Sequence, residues 1–242
     1  MTERLPLFPL NTVLYPGLVM PLVVFEERYR RLVADLLAQP EDQPRRFGVL
    51  AIRDGREVAP VRENDRPAGP LDGFGTVTGD PLEAIHRIGC VADVASIREQ
   101  PGGRYELLVT GTTRFRLESV DAGGAYLVGE TETIEEQQGV GAGALASAVE
   151  QAFRSYQKRL AGAREATLNG EQELPEDPRV LSYLVAAAAV LPAPVKQELL
   201  ACPDTAQRLG RELDLLRREN SLLAWHPTLP ATDLTRQAFS PN

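Results

Sequence analysis

The sequence predicts an α+β protein: a small β-barrel carrying one helix, followed by a helical bundle. Three observations predict this. Short apolar segments with alternating pattern recur through the first half, separated by proline, glycine and polar clusters. From Ala144 onward the apolar residues recur at helical spacing instead. Between the two regimes Gly139-Val140-Gly141-Ala142-Gly143 forms a small-residue hinge. The expected domains are therefore 1–138 and 139–242, with a polar, flexible link near 163–176.

The opening run contains Pro6, Pro9, Pro16 and Pro21, which remove backbone donors and fix φ. It reads as short edge-type strands, and neither as a long helix nor as a central strand. Pro16-Gly17 is a turn pair, after which the strand resumes through Val24. Leu7, Val13, Leu18, Leu22 and Val24 are expected in the barrel core. Leu14, Tyr15 and Met20 have two readings, more core or an exposed apolar groove that contacts a polypeptide. Core packing is the favoured one, although methionine and tyrosine suit adaptable contacts with varied partners. The spacing of Phe25, Tyr29, Leu32, Val33, Leu36 and Leu37 then predicts a helix over 26–38. Glu26 and Glu27 fall in its first turn, where the helix dipole favours carboxylates.

Further strands are expected at Phe47 to Ile52, Phe74 to Val77 and Ile88 to Ile97. Asp54-Gly55 marks a turn, and Arg56 to Asp72, with Pro60, Pro67 and Pro70, reads as a long loop. Gln100-Pro101-Gly102-Gly103 predicts a hairpin leading into Arg104 to Thr110. In the next strand Phe115 and Leu117 alternate with Arg114 and Arg116, which puts both arginines on a wet face. Tyr126 to Ile134 closes the set.

In the second half, Leu145, Val149, Phe153, Tyr156 and Leu160 form one stripe of a helix over 144–161. Asp177-Pro178 is a cap residue followed by proline at the first helical position. The helix it starts, Arg179 to Leu191, is apolar nearly all round and is expected to be central. A short helix over 195–201 follows. Asp204 caps the last helix, with Gln207 placed to reach back. Leu209, Leu213 and Leu216 form its inward stripe; Arg208, Arg211, Arg217 and Arg218, with Glu212 and Asp214, are assigned to its outer side. Trp225 is expected to pack this helix down.

Composition narrows the function. Hydrophobic residues at 43% and charged residues at 25% are those of an ordinary globular chain. A net charge of −8 disfavours a phosphate-backbone binder, although with 24 of 26 basic residues being arginine a local basic patch stays open. Met1-Thr2-Glu3-Arg4 leads into prolines and makes a poor signal peptide. The longest apolar helical run, Val180 to Leu191, is well short of the roughly 20 residues that span a bilayer. Cys90 and Cys202 lie in different predicted elements and build no disulfide framework. A cytoplasmic protein without membrane contact is expected.

Few residues invite chemistry. His86 and His226 are the only histidines, and Cys90, four residues after His86, is a thin hint of metal binding. Ser155 lies three residues before Lys158 and could face it as a dyad, but Lys158 sits in the polar run Gln157-Lys158-Arg159 and a solvated face fits better. Glu26-Glu27 and Glu135-Glu136 are adjacent pairs whose side chains diverge. The two lysines, Lys158 and Lys196, follow Gln157 and Val195, so no Gly-Lys pair exists to build a phosphate-binding loop. No catalytic, cofactor-binding or metal residue is assigned, and no cofactor is expected.

The ordered set Leu5-Pro6-Leu7-Phe8-Pro9-Leu10, Met20-Pro21-Leu22-Val23-Val24-Phe25-Glu26-Glu27, Phe47 to Ile52, Phe74-Gly75-Thr76-Val77, Cys90 to Val94 and Gly111-Thr112-Thr113-Arg114-Phe115-Arg116-Leu117 resembles the Lon protease N-terminal (substrate-binding) domain. The later helices around Lys196 to Leu200 and Arg208-Leu209 extend the likeness over most of the chain. The resemblance implies that the β half is a PUA-like barrel and that the protein recognises unfolded or partner polypeptides, as an adaptor to a protease or chaperone. A Lon protease continues into ATPase and Ser-Lys protease modules, whereas this chain stops at Asn242. A stand-alone, non-catalytic module is the expectation. Two alternatives stay open: an RNA-binding PUA-like protein using Arg114 and Arg116, and a cryptic hydrolase.

Overall fold

A computed structural model of the chain describes residues 2–40, 42–53, 81–163 and 173–225. The expected turn at Asp54-Gly55, the loop to Asp72, the strand Phe74 to Val77, most of the link near 163–176 and His226 lie outside these residues. So does the Trp225 side chain. The chain divides into two compact units, Met1–Glu135 and Glu136–Asn242.

Among the described residues the first unit is a mixed six-stranded sheet with two helices. In chain order these are β1 (Thr2–Leu10), β2 (Val19–Val24), α1 (Glu27–Leu37), β3 (Arg46–Ala51), α2 (Pro81–Ala84), β4 (Ile88–Gln100), β5 (Arg104–Asp121) and β6 (Val128–Thr133). The strand order is β2-β5-β4-β3-β1-β6, and β6 also pairs with β5, so five strands form a closed ring and β2 is added outside it. Two sequence expectations are corrected. β1 is a single internal strand despite Pro6 and Pro9. Its first half, Thr2 to Pro6, pairs with β6, and its second half, Leu7 to Leu10, pairs with β3 on the other side. Each proline thus faces one ladder only, and a missing N–H on the other side loses nothing. The segments Arg104 to Thr110 and Phe115 to Leu117 are one strand, β5, which serves β2, β4 and β6 in turn and bends at register shifts.

Tyr15-Pro16-Gly17-Leu18 is a type II turn: Gly17 has φ of +79°, and the Leu18 N–H donates to the Tyr15 carbonyl at 3.2 Å. The turn lies flat on β5, where Gly17 and Gly111 are joined through the Gly17 N–H and the Gly111 carbonyl at 2.8 Å. A Cβ on Gly111 would collide with the Tyr15 carbonyl oxygen, which is backbone and cannot rotate away. Gly111→Ala is expected to destabilise the unit by about 1–3 kcal/mol, read as a lowered denaturation midpoint. An unchanged midpoint would mean that the turn is free to lift off β5.

Burial follows the predicted stripe of α1 at Tyr29, Leu32, Val33 and Leu36, which pack with Phe8, Phe47, Leu107 and Val109. Phe8 stacks on Tyr29 with ring centroids 4.1 Å apart, and burial pushes the Tyr29 hydroxyl up to about 12. Phe25 and Leu37 leave the stripe. Phe25 precedes the first turn and, like Leu37, is exposed. On β5 Phe115 and Leu117 point inward as expected, but Arg114 is also buried, contrary to the wet-face assignment. Arg116 is exposed.

The second unit holds α3 (Ala142–Ala163), α4 (Pro178–Ala188), α5 (Ala193–Leu200) and α6 (Thr205–Trp225). Val149, Phe153 and Tyr156 of α3, Leu181 and Val185 of α4, and Leu209, Leu213 and Leu216 of α6 share one core. Both caps form locally. Asp177 accepts from the Arg179 and Val180 amides, and Asp204 accepts from the Gln207 amide at 2.8 Å. The Gln207 side chain reaches back to the Asp204 carboxylate at 2.5 Å, and these donors hold that carboxyl below its usual range. Extended residues Gln137 and Gln138 run beside this end, and their carbonyls accept from the Thr205 and Ala206 amides. The first donors of α6 are satisfied in this way.

Candidate functional site

Antiparallel pairing with β5 settles which side of each β2 residue is free. The Gly111 N–H donates to the Leu18 carbonyl, and the register then runs Val19 opposite Thr110 to Val24 opposite Tyr105. Alternation makes Met20, Leu22 and Val24 the hydrogen-bonded partners of β5 and turns the backbone groups of Val19, Pro21 and Val23 to the open edge. Among the described residues β2 pairs with β5 alone. Pro21 therefore sits where its missing N–H breaks no ladder, and it interrupts the middle of an otherwise continuous row of edge donors. What remains at the edge is the amides of Val19 and Val23 and three carbonyls.

The same alternation sorts the side chains. Leu22 and Val24 point into the core, and Val19, Pro21 and Val23 point out. Leu108 of β5, paired with Pro21, is exposed on the same face. Val23 is 61% exposed and Phe25, just beyond the strand, 63%. The outcome is a short apolar strip along an open sheet edge. Glu106 lies opposite Val23, and Ser96 and Arg98 of β4 follow beyond Leu108 and Glu106. An extended polypeptide can satisfy the edge groups and cover the strip with alternate side chains.

Of the residues offered for polypeptide contact, Leu14 and Tyr15 are 2% and 1% exposed and belong to the core, as the favoured sequence reading had it. Met20 is half-buried against the same core. The strip residues themselves were missed, because nothing local in the chain tells outward valines from inward ones. The one available signal was Pro21: a proline inside a strand marks the free side, and Val19 and Val23 share its parity.

Other candidates do not converge on a site. Ser155 and Lys158 are both exposed on α3, where a lysine stays solvated. His86 is half-buried and Cys90 fully buried, with its thiol directed at the Val91 carbonyl. Among the described residues no three His, Cys, Asp or Glu side chains gather as a metal set, and no helix is long and apolar enough to cross a membrane. Arg116 lies 4.0 Å from Glu132.

The second unit contains a buried polar network instead. Arg208, assigned to the outer side of α6, is 0% exposed. Its guanidinium lies 3.8 Å over the Tyr183 ring, its Nε donates to Ser182 Oγ at 2.8 Å, and a terminal nitrogen is 3.7 Å from Glu136. Glu136 in turn accepts from the Tyr183 hydroxyl at 2.6 Å. Glu212, one turn on, is buried as well, again against expectation. The aromatic face and fixed hydroxyls of α4 are what draw this arginine inward.

Comparison with known proteins places these features in a family. The model of the ATP-dependent protease La (LON) substrate-binding domain matches residues 4–218. Lon protease 2 of Syntrophobacter fumaroxidans is 29% identical over 86% of the chain, and Lon protease 2 of Myxococcus xanthus 26% over 91%. The chain spans 23% and 24% of the length of these two relatives. Among solved structures, the N-terminal domain of Mycobacterium avium complex Lon protease superposes with a TM-score of 0.58 at 18% identity, covering 90% of this chain and 98% of that one. A Lon N-terminal domain protein from Xanthomonas campestris gives 0.52 at 23% identity, covering 94% and 99%. The fold is that of a Lon N-terminal domain.

Proposed function

The chain belongs to the ATP-dependent protease La (LON) substrate-binding domain family, and from this we propose that it is a non-catalytic polypeptide-binding module acting as an adaptor to proteolysis or to a chaperone. The observation that carries the reading is the open edge of β2 with its outward apolar strip. An unfolded segment adds as a further strand on this edge, giving its own amides and carbonyls to the free groups of Val19, Pro21 and Val23. Val19, Val23, Leu108 and Phe25 supply apolar contact, Met20 borders them, and Leu14 and Tyr15 hold the strand from beneath. Pro21 keeps the unoccupied edge from pairing with like edges. In this reading the closed ring of strands is a small PUA-like barrel and the described helices that follow it form a bundle, with the boundary in the sequence near residue 138.

The test is titration of a fluorescently labelled unfolded polypeptide with the purified chain. Saturable binding is expected, weakened about tenfold or more by Val23→Asp, which places a charge in the strip at an exposed position. No saturable binding, or an affinity indifferent to Val23→Asp, would remove the edge from the account. Unaided cleavage of the bound polypeptide would contradict the non-catalytic reading.

A further inference from the structure

A second recognition surface lies in the helical unit. Ala148, Ala152, Ser155 and Arg159 follow one another on α3 at steps of three or four residues, so they share one face. Leu213, Arg217 and Asn220 do the same on α6, and the two rows line a common groove. Short side chains on α3 leave the space. Within it the Asn220 amide donates to the Ala152 carbonyl at 2.9 Å and ties the two helices together. The groove holds about 420 Å³, within the roughly 300–1,000 Å³ of ligand sites, and it opens broadly to solvent. Its charge is one-sided. Arg159 and Arg217, one from each helix, are exposed, and among the described residues neither side chain has an ion pair or a hydrogen bond. Their chain neighbours Lys158 and Arg218 are exposed as well. Glu150 of α3 is already occupied, because Arg154 donates to it through two nitrogens at 3.0 and 3.1 Å. Asp214 and Glu219, the acids on either side of Arg217 in α6, do not line the groove.

We propose that the groove between α3 and α6 binds an acidic segment of a partner polypeptide. Arg159 and Arg217 take its carboxylates, and the Ser155 hydroxyl donates a further hydrogen bond. The guanidinium fork matches a carboxylate with two parallel bonds, which a lysine could not offer. A groove this open suits side chains projecting from a backbone better than an enclosed small molecule. Phosphate would fit the same fork, and the charge of the whole chain decides against a nucleic acid. A long polyanion meets the repulsion of a net charge of −8, whereas two carboxylates on a short segment feel only charges within about 8–10 Å. The proposal takes its class of partner from the polypeptide-binding reading, but it uses α3 and α6 and no residue of β2.

The experiment titrates the full chain, at low salt, against a labelled glycine–serine peptide carrying two central glutamates and against the same peptide carrying glutamines. Neither peptide has an apolar side chain to offer the β2 edge. The glutamate peptide is expected to bind about 5- to 30-fold more tightly, the scale of two solvent-exposed ion pairs, and to lose that preference as salt is raised. Arg159→Gln and Arg217→Gln should each reduce the preference and together abolish it, with the thermal melt in place because both side chains are exposed. Arg211→Gln removes the same charge from α6 at a residue already paired with Glu198, and should leave the preference intact. Val23→Asp should also leave it intact, which separates this groove from binding at the edge. Equal binding of the glutamine peptide, a preference that survives the double substitution, or an equal loss in Arg211→Gln would overturn the proposal. Tighter binding of a single-stranded oligonucleotide of the same length would overturn the choice of occupant.

Discussion

Arg208→Ala is expected to destabilise the helical unit by about 3–5 kcal/mol, the range for breaking a buried ion pair by removing one partner. Three losses combine. Glu136 keeps its bond from Tyr183 but loses the cation 3.7 Å away, and its carboxylate is only partly solvated to compensate. Ser182 Oγ loses its donor from Arg208 inside the core, and the Tyr183 ring loses the guanidinium packed on it. A hollow also opens at a fully buried position, where surrounding side chains collapse only in part. Arg208→Lys should recover little, because an ammonium cannot stack on the ring and bond two hydroxyls at once. Denaturant unfolding followed through the fluorescence of Trp225, the last residue of α6, measures the effect. A loss below about 1 kcal/mol would show that the network is no better than a surface ion pair.

What the sequence disclosed and what it hid divide along a physical line. Features set by neighbours in the chain were legible: the Pro16-Gly17 turn, the Asp177-Pro178 and Asp204 caps, the hairpin at Pro101 to Gly103, and the stripes of α1, α3 and α6. Each depends on a few consecutive residues and on backbone rules that hold in any fold. Features set by partners far along the chain were not. Arg208 and Glu212 look like an exposed helix face until the Tyr183 ring and Ser182 are brought over them from α4. Arg114 looks wet until β5 is seen to serve three neighbours. On β2 the pairing register decides which valines face water, and a slip of one residue would exchange the whole set. The candidate surface is the part of the molecule that depends most on register, which is why Leu14 and Tyr15 were offered for it and Val19 and Val23 were not.

Glu212→Leu is expected to raise the stability of the helical unit at neutral pH by about 1–4 kcal/mol, the range found when buried charged groups give way to packed apolar ones. The groups facing Glu212 are Arg208 and Glu219 on its own helix and Tyr156 from α3. Burial raises the Glu212 carboxyl well above the ordinary value of 4.5, and Arg208 opposes this only in part. In the pH interval between that ordinary value and the raised one, the folded chain holds a proton that the unfolded chain has released. Stability therefore falls as pH rises through this interval, and the contribution is full only below the unfolded-state value. Asp204 acts in the opposite sense: its carboxyl is lowered, so its contribution is present above the ordinary carboxylate range and lost as pH falls below it. The wild-type helical unit should accordingly be most stable in mildly acidic solution and weaken toward alkaline pH. Glu212→Leu should remove the alkaline decline and keep the acidic one. Denaturation midpoints measured across pH for both proteins decide it. A wild-type profile already flat above pH 5 would show that the carboxyl is ionised and paired in the folded chain.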